Sequence, residues 1–294
     1  MSRRVVLAGL CTVDVVQRVA ELPGPSEKVQ SLSVDVAAGG PATNAAVTVA
    51  ALGGSPLLLT ALGAHPLAEL ARADLAACGV EVVDVAPESQ VAPAISAVAV
   101  RDRDGERTVV SRNAGNVSIP RPRPEDYLGT GTCVSAVLVD GHHPELALAV
   151  AGWARDRRIP VVLDAGSWKP VLDDLLPLVD TAACSAHFRP PGPGLRDRGV
   201  PTVIVTAGPD PVRWWTAEAS GAVPVPRTGA RDTLGAGDVW HGALAYGTGN
   251  LELPELIRFA NEVAAERVRH VGPRSWLDSI RELATSARAA GEDG

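Results

Sequence analysis

Gly235-Ala236-Gly237-Asp238 stands directly before an apolar-periodic run through Val239, Gly242, Ala243 and Tyr246. A glycine-rich turn that opens a helix leaves several N–H groups without helical partners. Those donors and the helix dipole attract anions, phosphate above all. Asp238 at that turn suits two roles. It caps the helix, or, ionised at neutral pH with a reference pKa of about 3.9, it takes the proton of a hydroxyl that attacks a phosphoryl group. A second stretch, Gly39-Gly40-Pro41-Ala42-Thr43-Asn44, has two glycines that let a ligand approach the backbone, or that simply make a turn. Asn44 offers both a donor and an acceptor to sugar hydroxyls. Asp14 follows the first apolar run, where open α/β sheets bind ligands, and can accept hydrogen bonds from two adjacent hydroxyls. It also reads as a solvated loop aspartate.

The elements around these residues alternate. Residues 5–10 and 57–62 are short apolar runs that predict buried strands. Residues 42–50 recur at helical spacing behind Pro41, a residue favoured at the first helical position, and their small side chains suit close packing. A helix is predicted over 67–77, closed by Gly79. Short β-branched runs at 134–139, 161–163 and 203–205 alternate with helical stretches, which argues for a largely parallel sheet covered on both faces. A helix stripe runs through Leu256, Phe259, Ala260, Val263 and Ala264. Two segments break this rhythm. After Asp14 the chain turns polar, with weak alternation over 29–36, and residues 95–100 and 107–110 flank Asp104-Gly105, a hairpin signal. The segments 15–36 and 94–112 are therefore expected to form a small separate sheet.

Composition bounds the rest. The chain has 294 residues, 46% hydrophobic, enough to bury a large core without staples. The formal charge is −7, with no basic stripe of the kind duplex binding requires. Only Lys28 and Lys169 are lysines, and neither lies in a P-loop or protein-kinase context. Cys11, Cys78, Cys133 and Cys184 form no C-x-x-C and read as small buried hydrophobes in a reducing compartment. No run reaches the roughly 18 apolar residues of a membrane span. A soluble, cytoplasmic protein is expected. A dinucleotide-dependent oxidoreductase is excluded on its motif, because Trp240 stands where G-x-G-x-x-G needs glycine. His142-His143 reads as an exposed loop pair, and of Trp214-Trp215 at most one is expected to face the core.

Gly39-Gly40-x-Ala42-x-Asn44-x-Ala46 and Asp232-Thr233-x-Gly235-Ala236-Gly237-Asp238 together resemble the paired signatures of the ribokinase-like (PfkB-type) carbohydrate kinases, in order and separation. Asp140-Gly141-His142 and Arg258-Phe259 make the chain most similar to the ketohexokinase- and fructokinase-type members. The resemblance implies one α/β domain over 1–294: a three-layer α/β/α fold with a mostly parallel central sheet and a small β-sheet lid from the two irregular segments. It implies transfer of the ATP γ-phosphoryl group to a hydroxyl of a ketose-, fructose- or ribose-like sugar, with MgATP as cofactor. Asp238 is then the general base, and the N–H groups of Gly235, Ala236 and Gly237 form the anion hole. Asp14, Gly39, Gly40 and Asn44 hold the sugar. Thr206 and Gly208 match the family's nucleotide-binding Thr-x-Gly, and Asn261 falls where the adenine pocket is lined. Asp232 falls at a monovalent-cation (K⁺) site, and relatives pair as homodimers through the lid. Neither a nucleic acid nor a membrane is an expected partner.

The sequence departs from the family at several points. Ser185 and Phe188 occupy the places of the asparagine and glutamate of Asn-x-x-Glu, so Mg²⁺ falls to ATP phosphates and water. Pro209-Asp210-Pro211 follows Gly208 where relatives carry a second glycine, and Pro41 replaces a polar residue aimed at the sugar. These departures leave two other readings open: a nucleoside kinase of the same family, or a catalytically weak sugar- or nucleotide-binding regulatory protein.

Overall fold

The structure is a computed structural model, described over residues 3–114, 119, 121–128 and 133–292. The chain begins with β1 (Arg4–Ala8), β2 (Thr12–Val19), β3 (Ser31–Gly39), α1 (Pro41–Ala51), β4 (Ser55–Thr60), α2 (Pro66–Ala77) and β5 (Glu81–Asp84). It continues through β6 (Ala94–Arg101), β7 (Arg107–Ser111), α3 (Glu125–Leu128), β8 (Ala136–Val139), α4 (Pro144–Asp156), β9 (Val161–Ala165), α5 (Leu172–Leu175) and β10 (Thr181–Ser185). β11 (Thr202–Ala207), β12 (Asp210–Trp215), β13 (Ser220–Val223), α6 (Ala236–Gly247), α7 (Leu253–Arg267) and α8 (Leu277–Glu292) complete it.

Among the described residues the large sheet runs β13-β12-β11-β10-β9-β8-β1-β4-β5 and is parallel from β11 to β5. Alternation sends Val5 and Leu7 to one face and Val6 and Ala8 to the other. The first face packs on α1, α2, α6, α7 and α8, and the second on α3, α4 and α5. Both faces are covered, which is why these strands read as unbroken apolar runs. The three-layer expectation holds.

The small sheet runs β3-β2-β6-β7. β2 pairs antiparallel with β3 and parallel with β6, and β6 with β7 makes the Asp104-Gly105 hairpin. Asp14 lies within β2 and not at the end of β1. The sequence concealed this strand because Asp14, Gln17 and Arg18 interrupt its apolar pattern. Trp214 and Trp215 also differ from expectation: each packs against a different face of the large sheet. Three of the four cysteines are buried and all are free thiols; Cys133 is exposed.

Candidate active site

The site forms where the small sheet leans over the C-terminal ends of the parallel strands. Asp14, Gly40, Asn44, Gly235 and Asp238 line one open cleft of about 530 Å³, together with Val16, Leu234, Arg267 and Trp276. Asn44 and Asp238, 194 positions apart in sequence, thus share a wall, because α1 and α6 pack side by side. Gly242 makes that packing possible. A Cβ there would sit 2.6 Å from the Ala45 carbonyl oxygen and 2.8 Å from Thr48 Cβ.

Gly40 precedes α1 at φ 99°, a conformation open to glycine, and its backbone lies against the Leu10 carbonyl. Gly39 is fixed sterically: a Cβ there would fall within 2.6 Å of the whole Asp14 carboxyl group. Asp14 pairs across the small sheet with Ala37 and Ser96, and accepts a hydrogen bond from Thr12 Oγ1. Burial raises its proton affinity, while Thr12, Ser96 and Arg274 oppose that rise.

Gly235 caps α6 in the left-handed region at φ 73°, and Ala236 N–H makes only a long 3.3 Å contact to Thr233 O. The first-turn amides of α6 have no helical acceptor of their own. The position a Cβ would take at Gly237 is open space. Asp238 accepts a 2.8 Å hydrogen bond from Asn44 Nδ2. Burial pushes its pKa up to about 7, helped by the charge of Asp164, while Asn44 and His241 pull it down.

His241, one helical turn beyond Asp238, is a site residue that the sequence did not suggest. Its Nδ1 lies 3.0 Å from Asp164 Oδ2, poorly aligned for a hydrogen bond, so the pair is chiefly a buried charge contact. Its Nε2 lies 3.3 Å from Ala183 O. Burial disfavours the imidazolium, but Asp164, Asp238 and Ala183 together outweigh it and raise the His241 pKa. Arg274 is a second such residue. Its guanidinium donates to both oxygens of Asp74, to Ala38 O at 2.6 Å and, at 3.4 Å, to Asn44 Oδ1. It fixes the amide of Asn44 with Nδ2 towards Asp238. Only the three-residue spacing of His241 from Asp238 was readable in advance; Arg274 carries no sequence signal.

The remaining predicted residues lie outside this cleft. Thr206 is the penultimate residue of β11, its hydroxyl donating at 3.5 Å to Cys184 O, and Gly208 (φ 60°) turns the chain into β12. Asn261 is buried on α7, accepting from Trp240 Nε1 at 2.8 Å and donating to Pro224 O at 3.1 Å. Its amide links α7 to α6 and to the chain that follows β13. Asp232 is 1% exposed, and both its oxygens face donors: Leu234 N–H, Gly272 N–H and the Arg18 guanidinium. His142 and His143 are drawn inward because Asp140, buried, accepts the His142 N–H at 2.9 Å while also accepting those of Leu10 and Ala42. Phe188 packs its ring 6.2 Å from that of Trp168. Among the described residues, no cluster of three acidic, histidine or cysteine side chains could hold a metal ion.

The sequence model of the pfkB family carbohydrate kinases matches residues 2–187 and 192–280. A deoxyribokinase from Salmonella typhi is 23% identical over 299 residues, covering 95% of this chain and 97% of that protein. A candidate ribokinase from Agrobacterium tumefaciens superposes with a TM-score of 0.81 at 25% identity, over 100% of both chains. Arabidopsis thaliana ribokinase, solved with ribose and ATP, superposes with a TM-score of 0.76 at 20% identity, over 97% of this chain and 99% of its own. A sugar-kinase signature that spans both walls of the cleft places the chain in the pfkB family of carbohydrate kinases.

Proposed function

We propose that the chain transfers the γ-phosphoryl group of ATP to a hydroxyl of a free ribose-, deoxyribose- or fructose-like sugar. The observation that carries this reading is the placement of Asp238: a carboxylate of raised proton affinity beside helix amides open to an anion. The sugar hydroxyl loses its proton to Asp238 as its oxygen bonds to the γ-phosphorus, and the bond to the β-phosphate oxygen breaks to release ADP. The N–H groups of Gly235, Ala236 and Gly237 stabilise the charge on the transferred group. Asp14 and Asn44 orient the sugar, with Gly39 and Gly40 giving the room to do so. Thr206 and Gly208 serve the nucleotide at the neighbouring strand end. Mg²⁺ would be brought by ATP and held by its phosphates and by water, since the oxygens of Asp140 already accept N–H groups of Leu10, Ala42 and His142 and Asp164 faces His241.

The small sheet acts as a lid over the sugar, and a second copy of the chain is its proposed partner. A cytoplasmic setting fits the free thiols and the absence, among the described residues, of any helix able to cross a membrane. The test is ADP release from MgATP across ketoses, aldoses, sugar acids and nucleosides, with Asp238→Asn alongside. Sugar-dependent release that falls by about 10²–10⁴ in the variant is expected for loss of a general base. Release with nucleosides alone would move the substrate class. Binding without turnover would favour a regulatory protein, the reading to which the buried Phe188 lends weight.

A further inference from the structure

We infer that Arg18 takes the place of a monovalent cation beside the anion-hole loop, so that this chain works without K⁺. A potassium ion is held by a shell of oxygen atoms that replaces its water. The oxygens around Asp232 are not available for one. Asp232 Oδ1 accepts from Leu234 N–H at 2.9 Å. Its Oδ2 accepts from Gly272 N–H at 3.0 Å and from Arg18 Nη2 at 3.1 Å. The nearby carbonyl groups meet a second guanidinium: Arg267 donates to Leu234 O at 2.6 Å, to His270 O at 2.9 Å and to Asp232 O at 3.4 Å. Two fixed positive charges already face one buried carboxylate, and a third would be repelled in a region of weak screening.

Arg18 differs from a diffusible ion in one respect: it belongs to β2 of the small sheet. Its side chain is 9% exposed, and its other Nη atom is held by Asp102 at 3.2 Å. The same sheet reaches the loop twice more, through Arg107 Nη1 to Thr233 Oγ1 at 2.8 Å and through Val16, Val98 and Val100 packed against Leu234. The charge that sets the loop before Gly235 therefore arrives with the lid, and Arg18 is a positioning residue for the anion hole.

The test compares wild type with Arg18→Met and Arg18→Lys in KCl and in tetramethylammonium chloride at matched ionic strength. The first readout is thermal melting, which requires no substrate; the second, sugar-dependent ADP release, rests on the kinase reading above. Wild type should melt and turn over identically in the two salts. A saturable K⁺-dependent rise of about 2 °C or more in wild type would overturn the inference, whatever the substrate proves to be. Arg18→Met keeps the buried stem without the charge, and should melt lower and turn over more slowly. Arg18→Lys should restore both, because a single N–H of Arg18 reaches Asp232. A methionine variant that matches wild type, or a lysine variant as impaired as the methionine one, would reject the charge role. If Arg18→Met does not fold, the wild-type salt comparison decides alone.

Discussion

Asp238 sits between groups that pull its proton affinity in opposite directions. Burial and Asp164 raise it, and Asn44 and His241 lower it, with a result near 7. A base must be unprotonated to act, so kcat/KM should fall tenfold per pH unit below about 7 and level off above it. A profile flat down to pH 5 would remove Asp238 from the role of base. Stability carries the opposite sign. The folded chain holds this proton more tightly than the unfolded chain, whose carboxyl titrates near 3.8. The stabilising contribution is complete below about 3.8 and is lost as pH rises through about 7. Asp238→Asn, which never becomes charged, should therefore gain in melting temperature over wild type as pH climbs between those values, while losing turnover. A difference independent of pH would show that the carboxyl is not perturbed. Asp238, Asn44 and the glycines were legible because their chemistry depends on residue type at fixed local spacing. Arg18 and Arg274 were not, since a guanidinium reaching a partner hundreds of positions away leaves no periodic trace.

At the scale of elements, α1 and α6 bring Asn44 to Asp238, and their contact depends on the absence of a side chain at Gly242. Gly242→Ala would drive a methyl group into the Ala45 carbonyl and Thr48. The expected cost is about 1–3 kcal/mol, the usual range for overpacking, with kcat lowered because the shift separates Asn44 Nδ2 from Asp238. A variant of unchanged stability and turnover would mean that α6 slides without consequence for the site. Helices α1, α2, α6 and α7 and strands β1, β4, β8, β9 and β11 were legible because each buries a regular apolar face, whereas β5 and α8 were not singled out. β2 was not, because a strand placed over a ligand cleft carries Asp14 and Arg18 on the face turned to the site. The two histidines after β8 were misread for a related reason. Asp140 gathers the N–H groups of Leu10, Ala42 and His142 and folds the loop inward, a long-range contact that local polarity does not report.

Across the whole molecule, the inner face of the small sheet is occupied by the site, and its outer face is apolar. Cross-strand register sets Val36, Val15, Ala97 and Val110 in one row, with Val34 and Leu32 following along β3. Val110 is 70% exposed and Leu32 61%. A sheet face of this kind is stable in water when something covers it. A second copy of the same chain would do so isologously, each row meeting its symmetry mate. The resemblance that implied a lid in sequence implied the same pairing, and the period-2 spacing of Leu32, Val34 and Val36 supplies the apolar row for it. Analytical ultracentrifugation should find a dimer for wild type and a monomer for the double variant Val36→Asp with Val110→Asp, whose charges would face each other across the pair. Neither residue lines the cleft, so the monomer should keep its fold. If the lids brace each other, the monomer should also bind sugar more weakly, because a lid released from its partner no longer holds Asp14 over the cleft and Arg18 against Asp232. A wild-type chain that sediments as a monomer would leave the outer face uncovered and remove the dimer from the account, while leaving the cleft and its chemistry as they stand.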